Sequence, residues 1–289
     1  MNEKPCIADP KDSSTVILVR EDGCAPCEVF LACRHERQSF MAGAYVFPGG
    51  RVDDADFTLT DRISVPAGFD APARLQDDTL SSTRALALFI CAIRETFEET
   101  GILIAHTADG QPPDGQCLIL WRNTLRAGRK SFRDLVRDEN LFFPLDVLVP
   151  YAHWITPEIL PKRFATRFFL TALPPGQSAT TDNAEMTDCL WIAPKEALRL
   201  YRKQDILLMP PTIKTLDELS VFATLDELLA FTRQKTFHPV LPQPDGNLLK
   251  LPHDPEYGIA PFRTPPCAGE PSRLILADGI WQTGFYPQK

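Results

Sequence analysis

Glu95, Glu98 and Glu99 stand three and then one residue apart in the run Arg94-Glu95-Thr96-Phe97-Glu98-Glu99-Thr100-Gly101-Ile102. On a helix, residues three and four apart are surface neighbours, so these carboxylates share one face. Crowding like charges is costly unless a cation neutralises them. Hard divalent cations such as Mg²⁺ or Mn²⁺ take oxygen-rich shells of this kind and in turn hold substrate phosphates. Phe47-Pro48-Gly49-Gly50 lies upstream. A surface helix with a solvated acidic face is the plain alternative. It accounts for neither Gly49-Gly50 nor the placement of Arg94 and Gly101, so the strip points to phosphate chemistry rather than packing.

A long helix over residues 83–100 must carry these groups. Ser81, Ser82 or Thr83 can cap it and Gly101 can end it. Leu86, Ile90, Ile93 and Phe97 recur at helical spacing and form its core stripe, with the glutamates to one side. The β-branched run 14–20, residues 28–34 and the short piece 45–47 read as strands, the last leading into the Gly-Gly loop. Residues 57–80, rich in Asp, Pro and Ala, read as a loop that can be shortened without touching the catalytic helix. Residues 122–138 read as a second helix, 154–155, 167–173 and 188–192 as strands, and 194–201 as a helix. Residues 211–234 read as two helical pieces, and the Pro-rich stretch 236–289 as holding short strand-like pieces at 248–251 and 273–276. Strands and helices in this order fit an α/β (α+β) sandwich around a mixed sheet.

Arg-Glu-x-x-Glu-Glu-x-Gly with an aliphatic residue after it and Gly-Gly before it resembles the Nudix box of the Nudix hydrolases. Gly50 matches the leading Gly, Asp56 stands where the family usually has Glu, and Thr96 where it usually has an aliphatic residue. Residues 57–93 replace the usual seven, so the box carries a long insertion. The resemblance implies an α/β/α sandwich and a metal-dependent pyrophosphatase. Its metal, Mg²⁺ or Mn²⁺, would be held by Glu95, Glu98, Glu99 and the Gly50 carbonyl, with Arg94 orienting a carboxylate. It also implies that Glu185, six residues before Trp191, is either a further acidic ligand or base, or a plain loop carboxylate.

The stretch from Leu31 and Arg34 through Gly43 and Phe47-Pro48-Gly49-Gly50 to Asp53 resembles the coenzyme A signature of Nudix CoA diphosphatases in its spacing, with Ser39 replacing the second Arg. Thr96, the insertion, Trp154-Ile155-Thr156-Pro157, Arg163-Phe164 and Phe168-Phe169 resemble one branch of the family, the CoA and acyl-CoA diphosphatases with a long insertion in the box. That likeness spans about residues 15–235 and leaves the last fifty unexplained. It implies hydrolysis of CoA or acyl-CoA to 3′,5′-ADP and (acyl-)4′-phosphopantetheine. Arg34, Arg51, Arg163 and Arg167 are then the candidate cations for the substrate's phosphates. ADP-ribose, NADH or another nucleoside diphosphate derivative is the alternative substrate. A non-catalytic nucleotide-binding module is more remote, because such domains usually lose the glutamates that are all present here.

The rest of the chain sets bounds. Its 289 residues allow one large or two modest domains with ample core, divided here as a flexible 1–13, a Nudix domain over 14–205 with the insertion at about 57–82, and a C-terminal extension over 206–289 packed on it. A net charge of -8 argues against nucleic acid as a partner and requires an anionic substrate to be held locally. No apolar run approaches the ~20 residues that span a bilayer, and the polar N-terminus lacks a signal-peptide pattern. The expectation is a cytoplasmic protein acting on a small dinucleotide-like molecule, away from membranes, and compatible with a homodimer. Cys24-Ala25-Pro26-Cys27 lacks the second ligand pair of a zinc site and reads as a turn that happens to carry thiols. No catalytic role is assigned to His106 or His153.

Overall fold

The computed structural model describes residues 8–21, 27–36, 41–179 and 186–287. Its strands begin with β1 (Lys11–Arg20), β2 (Glu28–Arg34), β3 (Tyr45–Val46), β4 (Gly49–Arg51) and β5 (Ile63–Ser64). They continue with β6 (His106–Thr107), β7 (Leu141–Pro144), β8 (Val149–Ile155), β9 (Phe164–Ala172) and β10 (Met186–Ile192). The last five are β11 (Pro239–Val240), β12 (Gln243–Asp245), β13 (Leu248–Lys250), β14 (Arg273–Ala277) and β15 (Ile280–Gly284). The helices are α1 (Ala71–Arg74), α2 (Ser82–Thr100), α3 (Gly115–Arg126), α4 (Phe132–Asp138), α5 (Pro194–Arg202), α6 (Pro210–Leu219) and α7 (Leu225–Gln234).

The main sheet runs β10-β2-β1-β9-β8-β11, with β3 beside β2 and β4 beside β1. It is mixed: β1 and β9 are parallel, as are β8 and β11, and the other pairs are antiparallel. Alternation along β1 splits the core. Val16 and Leu18 face α2 with Phe30, Phe89, Ile93, Phe97 and Phe169. Ile17 and Val19 face the other way, toward Leu198 of α5, Leu216 of α6, and Leu251 and Leu274 of the extension. The result is the expected α/β/α sandwich. Among the described residues no helix is long and apolar enough to cross a membrane.

The α2 boundaries follow from local chemistry. The Ser81 hydroxyl accepts the Arg84 N–H at the N-cap, and Gly101 at φ 79° takes the left-handed turn that ends the helix. Thr96, in the usual aliphatic position, is fully buried and satisfies its hydroxyl on the Ala92 carbonyl at 2.7 Å. Ser14 of β1 donates to the Leu88 carbonyl at 2.7 Å and ties helix to sheet.

Two expectations change. The expected helix over 122–138 is two helices. Gly128 turns left-handed at φ 64°, and Ser131 with Asp134 forms a capping box that starts α4 anew. The insertion is also more than a dispensable loop. Leu59, Ala71, Leu75 and Leu80 are buried in the α2-side core, α1 begins on the Asp70 cap, and β5 pairs with β7. Shortening it would open that core. Its apolar residues are too widely spaced in sequence to show a periodicity.

Residues 243–284 form a four-stranded antiparallel sheet, β12-β13-β14-β15, where only two strand-like pieces were expected. Buried Asp254 braces it, taking both Nε and Nη2 of Arg273 at 2.7 and 2.8 Å and the Ser272 hydroxyl at 2.8 Å. The Trp281 N–H donates to the Tyr201 hydroxyl at 2.7 Å, and the Thr283 hydroxyl to Asp217 at 3.0 Å. These contacts pin β15 to α5 and α6.

Candidate active site

The glycines bring β4 against both its supports. β4 pairs with Ser13–Thr15 of β1, and a Cβ on Gly49 would sit 2.2 Å from the Ser14 carbonyl oxygen. A Cβ on Gly50 would sit 2.4 Å from Cδ of Glu95. Backbone leaves no room for a side chain at Gly49, and at Gly50 the Glu95 carboxylate occupies that space, so the backbone reaches the acidic face of α2. The Gly49 N–H donates to Glu99 at 2.9 Å, and the Gly50 carbonyl accepts the Cys91 thiol at 3.5 Å.

Arg94 organises the carboxylates. Its Nε and Nη2 grip fully buried Asp56 at 2.8 and 3.0 Å, its Nη1 reaches Glu95 at 2.8 Å and Glu98 at 3.1 Å, and Nη2 also donates to the Arg51 carbonyl at 3.0 Å. Asp56 is the last residue before the insertion and closes a capping box with Asp53, which holds it in place. Burial alone would lower the Arg94 pKa, but Asp56 and Glu95 outweigh it and hold the guanidinium charged. Glu98 is pushed up to about 7, first by burial and then by Glu95, against the pull of Arg94. Asp56, Glu95 and Glu98 thus share the Arg94 guanidinium, with Glu99 beside them on the Gly49 amide. The Arg122 side chain comes up from α3 to donate to the Glu98 and Glu99 carbonyls at the helix end.

This cluster suits a hard divalent cation in donor chemistry and in excess negative charge. Arg94 holds an oxygen of Glu95 and of Glu98, and the Gly49 amide holds one of Glu99. Among the described residues the carboxylates do not converge into a ready-made coordination shell. Binding a cation there would exchange some of these hydrogen bonds for metal contacts.

The cluster opens into a cleft of about 1510 Å³ that runs from Gly49-Gly50 across β1 and β9 to the C-terminal sheet. Arg34 and Arg51 line it, as the sequence leads one to expect. The Nε of Arg34 is buried without a hydrogen-bond partner among the described residues. Arg163 and Arg167 do not line it. Side chains alternate along a strand, and it is Phe164, Thr166 and Phe168 that face the cleft. Arg163 instead donates to the Thr156 and Ala8 carbonyls, and Arg167 to Asp77 and the Leu75 carbonyl. Glu185 and Ser39 lie outside the described residues, as does Cys24 of the CxxC. His153 is buried in the sheet beside Arg167, away from the cleft.

Sequence reasoning missed two contributions. Arg122, Arg126, Lys130 and Arg133 bring cations from α3, α4 and the turn between them to the cleft. Their signal was a dense basic run in an acidic chain. The C-terminal sheet supplies Leu248, Leu249 and Trp281, for which there was no local signal.

Comparison with known proteins agrees with this geometry. The profile of the NUDT19 Nudix domain matches residues 11–219. A protein of Xenopus laevis named acyl-coenzyme A diphosphatase NUDT19 is 28% identical over an alignment covering 87% of this chain and 76% of that protein. The Gallus gallus protein of the same name is 31% identical, covering 83% and 75%. Among solved structures, a NUDIX hydrolase from Alicyclobacillus acidocaldarius superposes with a TM-score of 0.61 at 25% identity, covering 78% of this chain and 97% of that one.

Proposed function

The chain belongs to the Nudix hydrolases, in the branch defined by the NUDT19 Nudix domain, and from that membership we propose that it splits the diphosphate of coenzyme A and its acyl thioesters. The products would be 3′,5′-ADP and 4′-phosphopantetheine, acylated or free. The observation that carries the reading is the Arg94-centred carboxylate cluster facing Gly49-Gly50 at the head of a cleft flanked by Arg34 and Arg51. The substrate class comes from the relatives, which are acyl-coenzyme A diphosphatases by name.

Glu95, Glu98, Glu99 and the Gly50 carbonyl would hold the divalent cation, Mg²⁺ or Mn²⁺, which would neutralise the diphosphate and lower the pKa of a bound water. The protein's own groups position the rest. Arg94 fixes the directions of Glu95 and Glu98, and buried Asp56 fixes Arg94. Arg34 and Arg51 bind the anionic substrate. The water oxygen forms a bond to one phosphorus and the bridging P–O bond breaks. Its electron pair leaves with the other phosphate, and the water's proton passes to solvent or to a neighbouring carboxylate. Phosphoryl transfer of this kind depends on positioning and charge neutralisation, so no protein nucleophile is needed. Glu185 stands as a further acidic ligand or base on its sequence position alone.

The test is incubation of the purified protein with CoA, an acyl-CoA, ADP-ribose and NADH, with Mg²⁺ or Mn²⁺ and with chelator, and identification of products by mass. Metal-dependent release of 3′,5′-ADP from CoA or acyl-CoA is expected. Faster cleavage of ADP-ribose would reassign the substrate, and no turnover of any of them would overturn the hydrolytic reading.

A further inference from the structure

We propose that the C-terminal sheet β12–β15 forms the wall that receives the acyl chain of the substrate, and so sets a preference for acylated over free coenzyme A. The inference rests on the CoA reading of the site and gives residues 243–284 a role.

Charge is unevenly shared among the elements that line the cleft. Its cations include Arg34, Arg51 and Arg94 at the glycine loop and its helix, Arg122 from α3, Arg133 from α4, and Lys162 from the loop that also holds Ile159 and Leu160. The C-terminal sheet contributes Pro244, Gly246, Leu248, Leu249 and Trp281, none of them charged. Trp154, Phe164 and Phe168 also line the cleft. On the rim, Ile159 is 74% exposed and Leu160 is 40% exposed. Large aliphatic side chains turned to water on the lip of a cleft that continues to a phosphate-type site mark a surface that an apolar ligand group would cover. The volume agrees. About 1510 Å³ exceeds the roughly 300–1,000 Å³ of ordinary small-molecule pockets. The wall is also built in advance: the Tyr201 and Asp217 contacts fix β15, and the Asp254–Arg273 pair fixes β14, so little ordering opposes binding.

A chain laid along this wall would strengthen binding with length, roughly 3- to 4-fold per fully buried methylene. Two measurements test the idea on the full-length protein. The first is the ratio of kcat/KM for decanoyl-CoA to that for CoA, in wild type and in Trp281→Ala, Leu248→Ser and Ile159→Ser. Ile159 is exposed, so its replacement does not endanger folding. The wild-type ratio should exceed 10, and each variant should lower it several-fold. A ratio near one, or one that the variants leave unmoved, would overturn the proposal. The second is calorimetric binding of decanoyl-pantetheine, which has neither diphosphate nor nucleotide, in chelator. Saturable binding weakened by Trp281→Ala and Ile159→Ser supports the wall even if no CoA compound is hydrolysed, in which case the diphosphatase reading alone fails. Turnover of CoA compounds without such binding would overturn the wall alone.

Discussion

Arg94 and Arg167 are both buried, and each grips an aspartate at one end of the same insertion, Asp56 at its start and Asp77 near its close. Their surroundings differ. Arg94 faces Glu95 and Glu98 as well as Asp56, with Glu99 close by on the Gly49 amide, so negative charge is in excess. Arg167 has Asp77, a backbone carbonyl, and the neutral ring of His153 opposite it on β8. Burial, and then Arg167 itself, hold the His153 pKa down at about 3. A buried ion pair that closes its own charge balance is a structural clamp. One faced by several carboxylates has the donor chemistry of the divalent-cation site proposed for it.

The sharpest break in that contrast is Arg94→Ala. It would strand Asp56, which is fully buried, and should cost about 3–5 kcal/mol in urea unfolding together with metal-dependent turnover. In the double variant Arg94→Met/Asp56→Leu, stability should return while turnover does not. Recovery of both would show that the pair is only a clamp. Next in size, Glu98→Gln and Glu99→Gln should each lower kcat/KM by roughly 10²-fold or more, as loss of electrostatic stabilisation does elsewhere. Their melting temperatures should hold or rise, because each removes one charge from a crowded set. Near-normal rates in both would dissolve the metal-site assignment.

Arg167→Met belongs to the other side. Asp77 is reached by water, so the expected cost is about 2–3 kcal/mol, below the ~3–5 kcal/mol of a fully buried pair. The kcat/KM should stay within about 3-fold, since the side chain points away from the cleft. A selective rise in KM without loss of stability would bring Arg167 back to the substrate. The smallest effect concerns His153. Its folded pKa lies below the ordinary 6.5, so the unfolded chain takes up a proton as pH falls through 6.5 while the folded one does not until about 3. Stability should therefore decline below pH 6.5, by at most about 2 kcal/mol between pH 7 and pH 5. In His153→Phe that part of the acid limb should flatten. An unchanged slope in denaturation midpoints at the two pH values would refute the buried neutral imidazole.

Much of the site was legible because its determinants are local. The three glutamates, Arg94 and the capping Gly101 lie within one helix, where spacing alone fixes which residues are neighbours. The Gly-Gly pair announces a close approach, although only the fold shows that Glu95 is what approaches. Arg34 and Arg51 were legible from motif spacing. Arg163 and Arg167 are four residues apart and so fall on one face of an extended strand, but period-two alternation leaves open which face that is. The register of β9 between β1 and β8 turns that face toward the insertion and gives the cleft to Phe164, Thr166 and Phe168.

The sequence by itself determined the Nudix helix, its carboxylate face, the glycine loop and the sandwich, since each rests on helical or strand periodicity and on short-range sterics. The tertiary structure decided what distant segments do for one another. It made Asp56 the anchor of Arg94, turned the insertion into core through Leu59, Leu75 and Leu80, and carried Trp281 to a cleft that begins at Gly49. Those contacts join residues separated by tens to hundreds of positions. Their partners are chosen by layer packing and strand register, which no local pattern encodes.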